Sequence, residues 1–361
     1  MIRCYPNRLP QLHKFRRGLR HPIFSRIKID FCRFKGFLKN TYYELFMTKR
    51  LVTVLCIFFI IITVILLYGP SYKKTSKSMF SWIKESGSKD SSLQWFKIRN
   101  PKRIKGVALV VHGLNLRPDR MQSIIAELND AGIDVLNLSL RGHGNNYLRN
   151  INVSADEARL ESFRNVTYEL WLNEIYEAYL KVRERASKKD VPVFFIGYSL
   201  GGLMGCDLIL SQSDILFDRM ILFAPALNIK VESYLLKALM PFPNVVIDSL
   251  SPISYRANEG TPMAAYKALF ESIGHFEKNM NDNLNKPTLI LIDENDEFIS
   301  CSKLKEMIIL RNLDRWQIHI LRKDNDVGEK ISHHLIIDRT SVGENMWKQI
   351  KDVLKKHLNA G

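Results

Sequence analysis

Residues 191 to 205 read VPVFFIGYSLGGLMG, which is an apolar run, a serine set between glycines, and a second apolar stretch. An apolar run followed at once by a tight glycine turn and then by "LMGCDLIL" is a buried strand, a sharp turn and a helix. That order is the context in which G-x-S-x-G becomes a nucleophile elbow, with Ser199 at the apex of the turn. Without the strand and the helix, the same spacing would describe an ordinary turn. The glycines at 197 and 201 let neighbouring backbone pack close to the turn, and the opening residues of the helix leave N–H groups unpaired beside Ser199.

The rest of the chain supplies a sheet for this turn to sit on. "LQWFKI" at 93 to 98 and "GVALVVHG" at 106 to 113 are two strand-like runs separated by Asn100 and Pro101, which predicts a hairpin leading into the sheet. Further runs follow at 135 to 140 (VLNLSL), 191 to 197, 220 to 227 (MILFAPAL), 288 to 293 (TLILID) and 317 to 321 (QIHIL). Runs apolar on both faces belong to a parallel sheet covered by helices on each side. "YELWLNEIYEAYLKVRERASKK" is one such cover: Leu170, Trp171, Ile175, Ala178, Tyr179 and Val182 recur at helical spacing, with Glu and Lys on the other face. No internal repeat is visible.

A serine hydroxyl is a weak nucleophile until a base takes its proton, a carboxylate orients the base, and N–H donors meet the developing oxyanion. "LILIDENDEFIS" places Asp296 just past a strand end, with Asp293, Glu294 and Glu297 read as solvated loop charges. "ISHHLIID" offers His333 and His334 late in the chain. Nothing near the two histidines completes a metal-ligand set, so no metal and no cofactor are expected. Ser199, Asp296 and a histidine at 333 or 334 follow the chain order Ser, Asp, His of an α/β-hydrolase triad. His112 and His143, in "HGLN" and "RGHG", are expected to shape loops near the site rather than to transfer protons. Of three N-x-S/T sequons, at Asn137, Asn152 and Asn165, the first falls in a predicted core strand. Cys206 and Cys301 have no motif spacing and read as free thiols.

"VVHGLN", "LRGHG", "GYSLGG", the "DEND" loop and "HHLIID" together resemble the monoacylglycerol lipase, lysophospholipase and serine aminopeptidase branch of the α/β-hydrolase superfamily, over roughly residues 93 to 358. The resemblance implies an α/β-hydrolase fold, a mostly parallel central sheet with helices on both faces and a cap insertion at about 228–286. It implies Ser199 as nucleophile, Asp296 as acid and His333 as base, because "HHLI" fits the family's H-x-L segment with His333 in front; His334 is the alternative. It implies an oxyanion hole from the N–H groups of Leu114 and Leu200. The chain departs from the family pattern at Asp293, where a small residue is usual. The insertion is rich in Leu, Met, Phe and Tyr, which suits an acyl chain and suits packing on the sheet equally well. The activity so implied is that of a serine esterase acting on an acylglycerol or lysophospholipid. The alternatives are an aminopeptidase-type enzyme, with Glu232, Glu259 or Glu271 receiving the substrate amine, and an inactive tethered scaffold.

The first 90 residues lie outside that resemblance. "LVTVLCIFFIIITVILLYG", residues 51 to 69, is uncharged, and as a helix it spans roughly 28 Å, close to the thickness of a bilayer core. One N-terminal transmembrane helix is therefore expected, uncleaved because no small-x-small site follows Tyr68. "MTKR" directly before it makes Met47 a candidate start, with 1–50 a basic segment. Residues 70–92, rich in Ser, Lys and Gly, read as a linker with one short strand near Phe80 to Ile83, and 93–361 as the hydrolase domain. The 13 Lys and Arg in residues 1 to 50 favour a cytoplasmic N-terminus and a domain outside the cytoplasm. The net charge of +16 resides wholly in residues 1 to 99, where 20 Lys and Arg oppose 4 Asp and Glu; the remainder holds 33 of each. A neutral domain has no footprint for phosphates, which excludes nucleic acid as its partner.

Overall fold

The six residues of GVALVV (β2, Gly106–Val111) are all buried, and they face two different layers. Val107, Leu109 and Val111 pack into one core with Trp171, Ile175, Tyr179 and Leu203, while Ala108 and Val110 pack into another with Ile124, Leu128, Trp347 and Ile350. Alternate side chains of a strand point to opposite faces, so a strand apolar at every position needs a layer on each side. The computed structural model supplies both layers; it describes residues 92–249, 251–324, 327 and 332–359.

The main sheet runs β1-β3-β2-β4-β5-β8-β9 in space, with β1 Leu93–Phe96, β3 Ile133–Leu138, β4 Val193–Tyr198, β5 Arg219–Phe223, β8 Thr288–Asp293 and β9 Trp316–Leu321. All neighbours are parallel except β1 and β3. The hairpin expected from β1 and β2 does not form: β1 pairs antiparallel with β3, Leu93 opposite Leu138, at the edge of the sheet. Asp134 on β3 anchors the excursion, accepting from Ile98 N at 2.8 Å and pairing with Arg185, whose guanidinium also lies over the Trp95 ring. One layer holds α1 (Gln122–Asp130); α2 (Ala155–Arg164) follows β3 in the chain, and the other layer holds the predicted cover helix α3 (Tyr168–Ser187), capped by Thr167.

Helix α4 (Leu200–Ser211) follows β4 and is buried at every residue from Leu200 to Ile209, which is why its sequence is apolar all round. Its one charged residue, Asp207, accepts from Ser272 Oγ at 2.6 Å and meets His275 Nδ1 at 3.1 Å, both on α5 (Met263–Asn279). Burial pushes the Asp207 carboxyl up from its ordinary 3.8 to about 6, against the pull of those partners. The folded chain therefore holds this proton more tightly than the unfolded chain. Its stabilising effect is complete below about pH 4 and is lost as pH rises through about 6. Urea unfolding at pH 4 and pH 7 checks this: relative to Asp207→Asn, the native chain should lose up to about 3 kcal/mol between the two. A difference that does not move with pH would refute it.

Between β5 and β8 the chain holds a 3-10 turn (Val231–Leu239), a two-stranded antiparallel ribbon (β6 Val246–Asp248, β7 Gly260–Pro262) and α5. The ribbon's connecting segment is stitched to the loop after β2: Arg117 N donates to Tyr255 O, Ala257 N to Asn115 O, and Asn258 N to Asn115 Oδ1. After β8 come α6 (Cys301–Leu310), β9, α7 (Arg339–Val342) and α8 (Glu344–Asn359). The apolar run 51–69, the basic segment before it and the linker strand near Phe80 lie outside the described residues. Among the described residues no helix is long and apolar enough to cross a membrane.

Candidate active site

Ser199 occupies the turn between β4 and α4 at φ 51° and ψ −114°, a conformation that costs a non-glycine residue on the order of 1–3 kcal/mol. Three backbone bonds impose it: Ser199 N donates to Phe223 O, and Ser199 O accepts from Leu203 N and Ala226 N. The turn closes this tightly only because its flanks lack side chains. A Cβ on Gly201 would lie 2.3 Å from Val111 O, and one on Gly197 would lie 2.5 Å from Gly202 N. The hydroxyl is thus presented at the end of the sheet where β2, β4 and β8 finish.

Asp296 lies in the loop after β8 and is fully buried. Its Oδ1 accepts from Phe298 N and Ile299 N, each at 2.8 Å, which leaves Oδ2 to receive His334 Nδ1 at 2.8 Å. His334 Nε2 in turn stands 2.8 Å from Ser199 Oγ. An ionised carboxylate only accepts, so in the neutral ring the proton sits on Nδ1 and the Nε2 lone pair faces the serine hydroxyl. Tyr198 and Phe298 hold the ring from two sides, with centroids 5.3 Å and 5.2 Å away, the latter edge-on.

The residue brought to Ser199 is therefore His334, and the expectation of His333 is corrected. His333 turns away to Asp293, with Nδ1 3.1 Å from Oδ2, and its side chain is 43% exposed. Consecutive residues of a turn cannot both face one hydroxyl; the backbone path through 332–335 selects the second. Asp293 departs from its expected role as a solvated charge, whereas Glu297 is exposed as expected but engaged all the same. Asp293 is buried, and Glu297 accepts from Ser332 Oγ, His333 N and His334 N. Burial works against the charge on Glu297, yet those donors hold its carboxyl below the usual range. Glu294 is exposed as well, beside Arg322. Neither Glu297 nor the aromatic pair Tyr198 and Phe298 carried a spacing signal in the sequence; their place beside Ser199 and Asp296 was the single pointer available.

Leu200 opens α4, so its N–H has no acceptor within the helix. Leu114 follows the His112–Gly113 turn after β2, which lies against the elbow: a Cβ on Gly113 would come 3.3 Å from Ser199 Cβ. The Leu114 peptide is held by its carbonyl, which accepts from His143 Nε2 at 2.7 Å. Burial drives the His143 imidazole down to about 4, so it is neutral at pH 7. His112, also pushed down by burial, donates from Nδ1 to Gly113 O and accepts Leu140 N at Nε2. Both nitrogens of His112 and the Nε2 of His143 are committed to backbone, as expected for residues that shape loops. Asn137 is likewise buried, its Nδ2 donating to Pro118 O, and Cys206 and Cys301 are free thiols. Among the described residues no cluster of three or more His, Cys, Asp or Glu is placed to hold a metal ion.

A parallel sheet in this order, a serine on a strained strand-to-helix turn and a histidine aligned between it and a buried aspartate define an α/β-hydrolase of the serine-hydrolase type. The family described as serine aminopeptidase, S33, matches residues 102–355, and the chain belongs to that family. Comparison with curated protein sequences found no match. Among solved structures, a soluble variant of monoglyceride lipase from Saccharomyces cerevisiae in complex with a substrate analog superposes with TM-score 0.60 at 13% identity, covering 74% of this chain and 90% of that one. A structure from LipS and LipT, two metagenome-derived lipolytic enzymes, gives 0.58 at 18% identity, covering 75% and 98%. Paleococcus ferrophilus monoacylglycerol lipase gives 0.53 at 18% identity, covering 73% and 99%. At these identities the likeness is one of fold.

Proposed function

We propose that the protein is a serine esterase that cleaves the carboxylic ester of an acylglycerol or lysophospholipid through an acyl-enzyme. The observation that carries this reading is the unbroken line Ser199 Oγ, His334, Asp296, with both contacts at 2.8 Å. Ser199 Oγ attacks the ester carbonyl while its proton passes to His334 Nε2, and Asp296 stabilises the imidazolium so formed. The carbonyl oxygen becomes an oxyanion between the N–H groups of Leu114 and Leu200. Collapse breaks the bond to the alcohol, which leaves with the proton from His334; water then repeats the sequence on the acyl-enzyme. Loss of one oxyanion donor in such a site costs on the order of a hundredfold or more in turnover.

Support for a lipid substrate comes from the insertion between β5 and β8, which exposes Val231, Leu235 and Ile253. Its acidic residues favour an ester over a peptide. Glu232 and Glu259 are exposed, and Glu271 lies 3.6 Å from Lys267 on the helix surface, so none is sequestered to receive a substrate amine. We further propose that residues 51–69 tether the domain to a membrane on the side away from the cytoplasm, where acyl lipids are at hand. Full-length chain should resist extraction by alkaline carbonate and yield to detergent; release by carbonate would remove the tether from this reading.

The deciding experiment offers the full chain in detergent a fluorophosphonate probe, then a monoacylglycerol, a lysophospholipid and peptides with free amino termini. The reading expects labelling that Ser199→Ala abolishes and hydrolysis of one of the two lipids. Faster cleavage of the peptides would make it a peptidase, and a folded native chain that takes no label would make it a scaffold.

A further inference from the structure

We propose that Glu297 and Lys323 are positioning residues for His334, gripping opposite edges of the turn that carries it; this rests on His334 serving as the base. The turn at 332–335 lies between β9 and α7, with no sheet ladder or helix to orient its peptides. Its own backbone contributes one bond, Leu335 N to Ser332 O at 3.0 Å. Ser332 Oγ accepts from His334 N at 3.2 Å and His334 O accepts from the Tyr198 hydroxyl at 3.3 Å, while the shorter bonds come from two charged side chains. Glu297 Oε1 accepts His333 N at 2.8 Å, and Oε2 accepts His334 N at 2.9 Å and Ser332 Oγ at 2.7 Å. From the other edge Lys323 Nζ donates to Ser332 O and to Leu335 O, the latter at 2.9 Å.

Glu297 adjoins Asp296 in the chain, so one loop holds the histidine twice: Asp296 takes the ring and Glu297 takes the peptide. Beside the Tyr198 and Phe298 rings, two consecutive residues thus help to set the ring's angle to Ser199, on a loop whose own backbone is tied down at Phe298 N and Ile299 N. Lys323 is half-buried, and its ammonium sits in the field of Asp293, Glu297, Asp296 and Asp338. Burial pushes its amine down to about 8 against those four carboxylates. Charge-assisted bonds to a peptide are stronger than neutral ones, which suits a pair of charged groups to hold an otherwise irregular turn. The task is geometric. A misplacement of about 1 Å in such a relay costs on the order of a hundredfold in rate.

The test uses the full chain in detergent, a short-chain p-nitrophenyl ester and the fluorophosphonate probe. Glu297→Ala should lower kcat by about 10- to 100-fold with KM within about twofold, and slow labelling of Ser199 by a similar factor. Glu297→Gln has the same shape and keeps one acceptor oxygen, so it should regain part of the loss yet remain at least threefold below native by about the same reasoning. Lys323→Met should lower kcat by about tenfold in the same sense. An unchanged kcat in Glu297→Ala, or a loss confined to KM, overturns the proposal. If Glu297→Ala does not fold, Glu297→Gln decides alone, and native kcat there overturns it. A native chain that fails to label at Ser199 overturns the parent reading and this one with it. A native chain that labels, with unaltered Glu297 variants, overturns this one alone.

Discussion

His334→Ala will lower both ester turnover and labelling of Ser199 by about 10⁴-fold or more, while His333→Ala will stay within about threefold of native. Removal of the His334 ring leaves Ser199 Oγ without an acceptor for its proton, since Nε2 is its hydrogen-bond partner at 2.8 Å. A loss of that size corresponds to about 5 kcal/mol of transition-state stabilisation. His333 touches Asp293 and neither Ser199 nor Asp296. Its backbone N–H, which binds Glu297, survives the substitution. Rates of labelling for the two variants, measured side by side with their melting temperatures, decide the matter. The opposite ranking would mean that the turn adopts a different path when substrate is bound, and the assignment would pass to His333.

Asp296→Asn will lower turnover by about 10³- to 10⁴-fold with the fold intact. The reason lies in the count of donors around the carboxylate. Oδ1 faces two N–H groups, of Phe298 and Ile299, so the amide oxygen of an asparagine takes that place. Its NH₂ then points at His334 Nδ1, where two donors would meet. The imidazole answers by moving its proton to Nε2, which aims N–H instead of a lone pair at Ser199. Turnover within tenfold of native would show that neither the charge of Asp296 nor its hold on the tautomer is needed, the ring being held by its other contacts. Circular dichroism of the variant separates this from unfolding.

Much of the fold is legible in the chain because buried parallel strands leave an unmistakable trace. TLILID at 288 to 293 and the run ending at Gly197 are apolar on both faces, and such segments have one place to go. The edge is where that reasoning fails. LQWF and GVALVV are close in sequence and separated by a Pro, as in a hairpin, yet β1 crosses to β3. Local pattern records that a segment is extended, and it holds no information on which neighbour accepts its hydrogen bonds. Asp134 and Arg185, 51 residues apart, hold the strand where it lies.

The site divides along the same line. Ser199 could be named from residues 191 to 205 because an elbow is a local object: one strand, one turn and one helix, with glycines where the backbones touch. Asp296 followed from its place just past a strand end. The choice between His333 and His334 has no local answer, since two adjacent histidines share the same neighbours in sequence. It is made by Glu297 and Lys323, which lie 37 and 11 residues before His334 and clamp the turn from opposite edges. By itself the sequence determined the layers, the elbow and the chain order of the reacting groups, because each is encoded in contiguous residues. The tertiary structure decided which imidazole meets the serine, because a side chain's direction on an irregular turn is set by whatever distant groups bind its peptides.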